Sequence, residues 1–330
     1  MKQFIHKVLP CILVGLISLT ACDDEWRVEQ YEHYISLKAP LNEEGVSRVH
    51  IPYRENGEYT YQLPVIVSGS TSNDKDLQVE IGVDADTLLI LNNERFQLRK
   101  DFYFKELSPQ FYTMPKTVSI PSGQDVGLFP ITFDLRGIDL SEKWLLPLTV
   151  VDGPGHDYEK HPRKHYAKGL LHIIPFNDYS GNYSATALKI FLKGKENSEP
   201  IVQNTVSTYV VDEHSIFMYA GMIDNKNIDR QKYKVKLTFD DANKTVTFTP
   251  YDDTIGFEAF GTATFKVDEV MDDVRPYLLH RYITINNIDY TFTDNTTSAG
   301  NDISFTVRGS LMMERRINTQ IPDIDQAIEW

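Results

Sequence analysis

The stretch QKYKVKLTFDDANKTVTFTPYD, residues 231–252, constrains the fold more than any other. Tyr233, Val235, Leu237 and Phe239 alternate with Lys234, Lys236 and Thr238, and beyond DDAN (240–243) Val246 and Phe248 resume the apolar series. Successive side chains of a strand point to opposite faces, so a period of two describes a hairpin with one dry face. The same pattern recurs along the chain, broken by turn clusters, while long runs with helical spacing are scarce.

Before residue 177 the strand-like segments are HYISLKAP (33–40), YTYQLPVIVSG (59–69) and DLQVEIGVD (76–84), the last two read as a pair. KTVSIPSGQDVGLFPITFDL (116–135) reads as strand, Pro-Ser-Gly turn and strand. WLLPLTVVD (144–152) and KGLLHIIPF (168–176) follow. DTLLILNNERFQLR (86–99) fits either a short helix or an irregular crossover. About seven strands with one long crossover describe an immunoglobulin-like β-sandwich over residues 33–176. Pro175, Asn177, Asp178 and Gly181 then break regular structure. From 177 to 330 the pattern is a meander: 187–194, 206–221, the hairpin, 261–270, 280–294 and 302–315. Roughly eight antiparallel strands with short turns suggest a barrel or sandwich, and Gly181 and Tyr183 open it as in lipocalin-type barrels. The expected class is therefore all-β in two domains.

The first 32 residues have a different character. Lys2 and Lys7 precede an apolar run of signal-peptide length containing Ile12, Leu13, Val14, Leu16, Ile17 and Leu19. Leu19-Thr20-Ala21-Cys22 resembles a bacterial lipobox, which implies a leader over 1–21, acylation of Cys22 and an acidic tether over 22–32. Asp23, Asp24 and Glu25 follow the Cys directly. Acids there have two known meanings, retention at the inner membrane in enterobacteria and export to the outer face of the cell in Bacteroidota. Cys11 and Cys22 are the only cysteines. The first leaves with the leader and the second carries lipid, so the exported domains rely on ordinary cores.

The net charge is -14, and loss of Lys2 and Lys7 takes it to -16. An acidic, well-mixed surface without a Lys/Arg block argues against nucleic acid, and against any membrane contact other than the lipid. Metal-protease, P-loop, dinucleotide and nucleophile-elbow motifs are missing, and no cofactor is implied. HPRKH (161–165) reads as a solvated loop. The acids of YDDT (251–254), MDD (271–273) and IPDIDQ (321–326) are ordinary in turns, and nothing in the sequence joins two of them in one cleft as glycoside hydrolysis needs.

Tyr and Phe number 18 and 17, which suits cross-strand packing and leaves a few rings for stacking on sugars. DFYFKELSPQFYTMP (101–115) is either a stacking platform or the packing of the crossover. Trp144 opens an apolar strand and reads as core. VRPYLLHRY (274–282) places Arg275, Tyr277, His280 and Arg281 in a connecting segment, a set able to read a sugar's face and hydroxyls. Trp330 is either docked on the second domain or exposed for contact.

SLKAPL (36–41), LPVIVSGS (63–70), LPLTVVD (146–152), PFNDYSGNYSA (175–185) and INTQIPDIDQAIEW (317–330), with the acid-trailed lipobox, resemble a group of two-domain Bacteroidota lipoproteins. These are encoded in polysaccharide-utilisation loci beside SusC/SusD-like transport pairs. Related N-terminal domains precede some family-eighteen endoglycosidases, and this chain ends where their catalytic barrel would begin. The resemblance implies a SusE/SusF-like, non-catalytic glycan-binding lipoprotein. It would be anchored in the outer membrane, facing the exterior, and would capture oligo- or polysaccharide for the transporter. An adaptor that packs against the transporter without touching sugar is the alternative, and a hydrolase with an unusual carboxylate pair is the third. The resemblance carries over no binding residues.

Overall fold

The computed structural model describes residues 31–54, 58–139, 142–297 and 300–330. Cys22, Asp23, Asp24 and Glu25 lie outside the described residues. The chain packs as two compact units. The first comprises the residues up to Val49, Thr60–Asp134 and Trp144–Ile173, and the second His50–Tyr59, Leu135–Lys143 and Ile174–Trp330.

Eight principal strands build the immunoglobulin-like sandwich: β1 (Tyr34–Leu37), β2 (Ser47–Pro52), β3 (Tyr59–Val67), β4 (Leu77–Val83), β5 (Thr117–Ile120), β6 (Val126–Phe133), β7 (Trp144–Val150) and β8 (Lys168–Phe176). One sheet has the order β1-β3-β6, flanked by the short strands Glu159–Lys160 and Tyr112–Thr113. The other runs β2-β8-β7-β4-β5. The apolar positions of both meet in the core, where Leu63, Val65, Phe129 and Ile131 from one sheet and Val79, Leu146, Leu148 and Leu171 from the other are buried.

Two pairings differ from the sequence reading. Segments 59–69 and 76–84 are strands but not partners: β3 pairs with β1, and β4 pairs with β5 and β7. The two strands of 116–135 likewise enter different sheets. Each has one apolar face, and in a sandwich a connection that crosses between sheets buries both faces as well as a hairpin does. The reading also passed over β2, whose Val49 and Ile51 are buried between an exposed Arg48 and a half-buried His50.

The crossover after β4 is a helix, α1 (Ala85–Phe96). Asp84 caps it, accepting from the Thr87 amide at 3.2 Å, and Lys168 pairs with the same carboxylate. Segment 101–115 packs this crossover. Phe102 and Phe104 are buried, and the Asn92 amide exchanges two 2.9 Å hydrogen bonds with the backbone of Phe104. Trp144 is half-buried at the start of β7, with the Lys105 ammonium 6.0 Å from its ring centre.

The second unit is an up-and-down barrel. Its strands are β9 (Gly181–Ser184), β10 (Lys189–Leu192), β11 (Thr205–Asp212), β12 (Ser215–Tyr219), β13 (Lys234–Asp240), β14 (Thr245–Pro250), β15 (Ala263–Met271), β16 (Leu278–Asp294) and β17 (Ile303–Asn318). The order β17-β9-β11-β12-β13-β14-β15-β16 closes through the long β16–β17 ladder, while β10 pairs with the first part of β17. The segment 206–221 is therefore two strands, reversed at Glu213 and His214, with the Asp212 carboxylate accepting from the His214 amide at 3.0 Å. The hairpin 231–252 has Asp240 opposite Thr245, as its alternation implies.

The barrel interior is filled by side chains. Tyr183, Tyr233, Tyr290 and Phe292 are fully buried, and the three tyrosine hydroxyls are satisfied. Tyr183 donates to the Tyr179 carbonyl at 2.7 Å, Tyr233 to Asp294 at 2.9 Å, and Tyr290 accepts from the Gly221 amide at 3.1 Å. Burial pushes the Tyr290 phenol up to about 12. No helix among the described residues is long and apolar enough to cross a membrane.

Candidate functional site

The segment 274–282 is not one connecting piece. The turn after β15 ends at Tyr277, and His280 and Arg281 already stand on β16. Asp272 organises the turn: its carboxylate accepts from the amides of Val274 at 2.9 Å and Arg275 at 2.7 Å. It also holds the Arg275 guanidinium at 3.2 Å and His280 Nε2 at 3.0 Å. His280 Nδ1 meets Glu314 at 2.5 Å. Glu314, and after it Asp272, lift the imidazole above its ordinary range. The amides of the turn and the His280 contact hold Asp272 well below the usual carboxylate range. Tyr277 is half-buried, and its carbonyl accepts from the Thr319 amide at 2.8 Å.

The period of two separates the named residues. His280 lies opposite Arg316, and Arg281 opposite Arg315. Neighbouring strand residues face opposite ways, so Arg275 and His280 gather on Asp272 while Arg281 turns to the other face. Arg281 Nε pairs there with Glu269 at 2.6 Å. The sequence reading of one four-residue set is corrected accordingly.

The face that carries Arg281 opens on a cleft of about 240 Å³, all of whose lining residues belong to the second unit. Its floor is Arg315, 5 % exposed. Along β17 the inward positions are Leu311, Met313, Arg315 and Ile317, all buried, so a guanidinium stands in an apolar stripe. It is held by the loop 177–180. Arg315 Nη1 donates to the Asp178 carbonyl at 3.1 Å, and Nη2 to the Asn177 and Ser180 carbonyls at 3.0 and 2.7 Å. That loop is pinned by Asn177, whose side chain donates to the Ser215 carbonyl at 3.1 Å and accepts from the Ser180 amide at 2.8 Å. Burial lowers the Arg315 pKa, yet a guanidinium stays charged in proteins.

Trp330 stands beside this group. Its indole stacks on His50, with ring centres 3.9 Å apart and planes 8° apart, and meets Phe176 edge-on at 4.8 Å. The Arg315 guanidinium lies 5.7 Å from the Trp330 ring centre and 5.9 Å from that of Phe176. Trp330 is nonetheless 53 % exposed, so it is both docked and open. The wall is completed by Arg54, paired with Asp325 at 2.5 Å, and by Asp178, Glu213, Ile317, Ile324 and Ile328. Of the residues named from sequence, the structure brings Arg281 into the lining of this cleft, sets Trp330 against two lining residues, Phe176 and Arg315, and leaves Arg275 and His280 with Asp272 in the turn.

The acid clusters act as turn caps. Asp252 accepts from the Thr254 amide at 2.8 Å and Asp323 from the Asp325 amide at 3.0 Å, as Asp272 does in its own turn. Arg315 is the residue that sequence reasoning missed. Its signal was legible as a charge on the apolar period of Leu311, Met313 and Ile317.

A family model described as a domain of unknown function, DUF4973, matches residues 26–154, and a second, described as a C-terminal domain, matches residues 167–312. A search of curated proteins gives no match. Among solved structures, a Bacteroides ovatus protein of unknown function is 42% identical, over 90% of this chain and 100% of its own, with a TM-score of 0.81. A Bacteroides ovatus multidomain protein including DUF1735 is also 42% identical over the same shares, with a TM-score of 0.80. A Bacteroides thetaiotaomicron protein described as an auxiliary nutrient binding protein is 40% identical, over 91% of this chain and 100% of its own, with a TM-score of 0.80. Likeness of this degree over nine-tenths of its length places the chain in the Bacteroides protein family that these structures represent.

Proposed function

We propose that this protein is a non-catalytic glycan-binding lipoprotein of the outer cell surface that captures oligo- or polysaccharide for a SusC/SusD-like transporter. The observation that carries the reading is the 40% identity, over 91% of this chain, with a protein described as an auxiliary nutrient binding protein. The lipobox ending at Cys22, the acids behind it and the resemblance in sequence to lipoproteins of polysaccharide-utilisation loci supply the rest. Affinity electrophoresis of the purified chain through gels containing plant and host polysaccharides tests it, with retardation by at least one glycan expected. Uniform failure to bind would sink the reading. Release of reducing ends from a bound glycan would replace it with a hydrolase.

One observation favours the adaptor reading. Val267, Val270, Met271 and Val274 are all exposed at the end of β15 and in its turn, Val267 and Met271 on one face of the strand and Val270 on the other. A strand end with apolar side chains exposed on both faces suits insertion between surfaces of another protein. An adaptor would co-purify with a TonB-dependent transporter, lose that association when these residues become Ser, and retain no glycan.

A further inference from the structure

We infer that the cleft floored by Arg315 is a binding site for one neutral sugar residue, a chain end or a branch of a glycan. The inference rests on the glycan-binding reading and adds to it a place and a ligand class.

The charges of the wall come first. Arg54, Arg281 and Arg315 line one space together with Asp178, Glu213 and Asp325, Arg54 being paired with Asp325. A carboxylate or sulfate ligand entering it would meet Asp178 and Glu213, and an ammonium would meet three guanidinium groups. A polyol escapes this conflict, because each hydroxyl both donates and accepts and so pairs with either charge. Arg315 has five N–H groups, of which three donate to the carbonyls of the 177–180 loop. Nε–H and one Nη1–H are left over on a side chain that lines the cleft.

Size and surface agree with this class. At about 240 Å³ the cleft falls below the range of pockets that enclose drug-sized ligands, so it suits a single ring. Ile317, Ile324 and Ile328 supply apolar wall, and the half-exposed indole of Trp330, set at the edge of the cleft against its lining residues Phe176 and Arg315, offers ring surface for the C–H side of the sugar. The site is also held in shape before any ligand arrives. The Arg54–Asp325 and Arg281–Glu269 pairs fix two cations, Asn177 fixes the loop, and His50 fixes the indole.

The test is calorimetric titration of the full chain with neutral manno-, malto-, xylo- and galacto-oligosaccharides and with oligogalacturonate as the acidic counterpart. Wild type should bind a neutral probe. Trp330→Ala and the isosteric Glu213→Gln should each weaken that binding about tenfold, and Arg275→Ala, in the turn, should leave it within about twofold. Circular dichroism confirms folding, and Glu213→Gln carries the test if Trp330→Ala does not fold. Unchanged binding in both cleft variants would place the site elsewhere and leave the glycan reading intact. Preference for oligogalacturonate would overturn the neutral class. Absence of binding by wild type to every probe would remove the glycan reading and this inference with it.

Discussion

Arg315 shows what a single charge in an apolar stripe demands. Its guanidinium gathers three carbonyls, two of them on buried residues, and no shorter cation can span them. Arg315→Met should strip those carbonyls of their guanidinium donors and destabilise the barrel unit by about 3–5 kcal/mol, the usual cost of breaking a buried charged network. Arg315→Lys should recover only part of it. The midpoint of urea unfolding checks both. His280 gives a prediction in pH. Its pKa is raised on folding, so its contribution to stability is complete below the ordinary imidazole value and is lost as pH rises through the folded value. Asp272 is lowered on folding, so its contribution holds above the ordinary carboxylate value and is lost as pH falls through the folded one. The cluster is therefore most stabilising in the window between. As pH rises from about 6 to about 9, wild type should lose urea resistance that His280→Gln does not lose. Parallel curves for the two proteins would dismiss the cluster as a source of stability.

At the scale of elements, the long β16–β17 ladder carries a bulge between the pairs Ile285–Leu311 and Ile288–Gly309. The register shifts between Ile285 and Ile288, Asn287 has a φ of 58° and Gly309 a φ of 138°. A Cβ on Gly309 would stand 2.0 Å from the Ala187 carbonyl oxygen, so no side chain fits without moving the backbone. Gly309→Ala should cost about 2–4 kcal/mol or abolish folding, read as a lowered melting temperature, whereas Asn287→Gly should be tolerated. Much at this scale was legible beforehand. Residues 234–250 read as a hairpin because alternation and turn lie within one short stretch. The strands Tyr59–Val67 and Leu77–Val83 were equally legible, but their partners were not, since sheet membership is decided by residues far along the chain. The helix Ala85–Phe96 stayed ambiguous because Leu89 and Ile90 are exposed beside a buried Leu88, which blurs its period. The site was legible in part. Arg281 and Trp330 were named, but the faces of β16 that divide Arg281 from His280 depend on where the strand begins.

The whole molecule holds a sandwich and a closed barrel, and the sequence reading puts a leader over 1–21 and a lipidated Cys22 before them. Cys22→Ser should leave a folded protein that no longer sediments with membranes, because the lipid is the proposed anchor and the sequence shows no basic amphipathic helix to replace it. Mutant protein retained in the membrane fraction would refute the anchor. Replacing Asp23, Asp24 and Glu25 with Ala should keep the lipid and reduce digestion by external protease. The placing of the tryptophans has a further consequence. The chain holds three, Trp26, Trp144 and Trp330. Trp26 lies outside the described residues, Trp144 belongs to the sandwich unit and Trp330 to the barrel unit. With Trp26 replaced by Phe, each unit carries its own intrinsic fluorophore. Emission from Trp144 reports the sandwich alone. The half-exposed indole of Trp330, stacked on His50, should shift its emission to shorter wavelength when a ligand covers its exposed part.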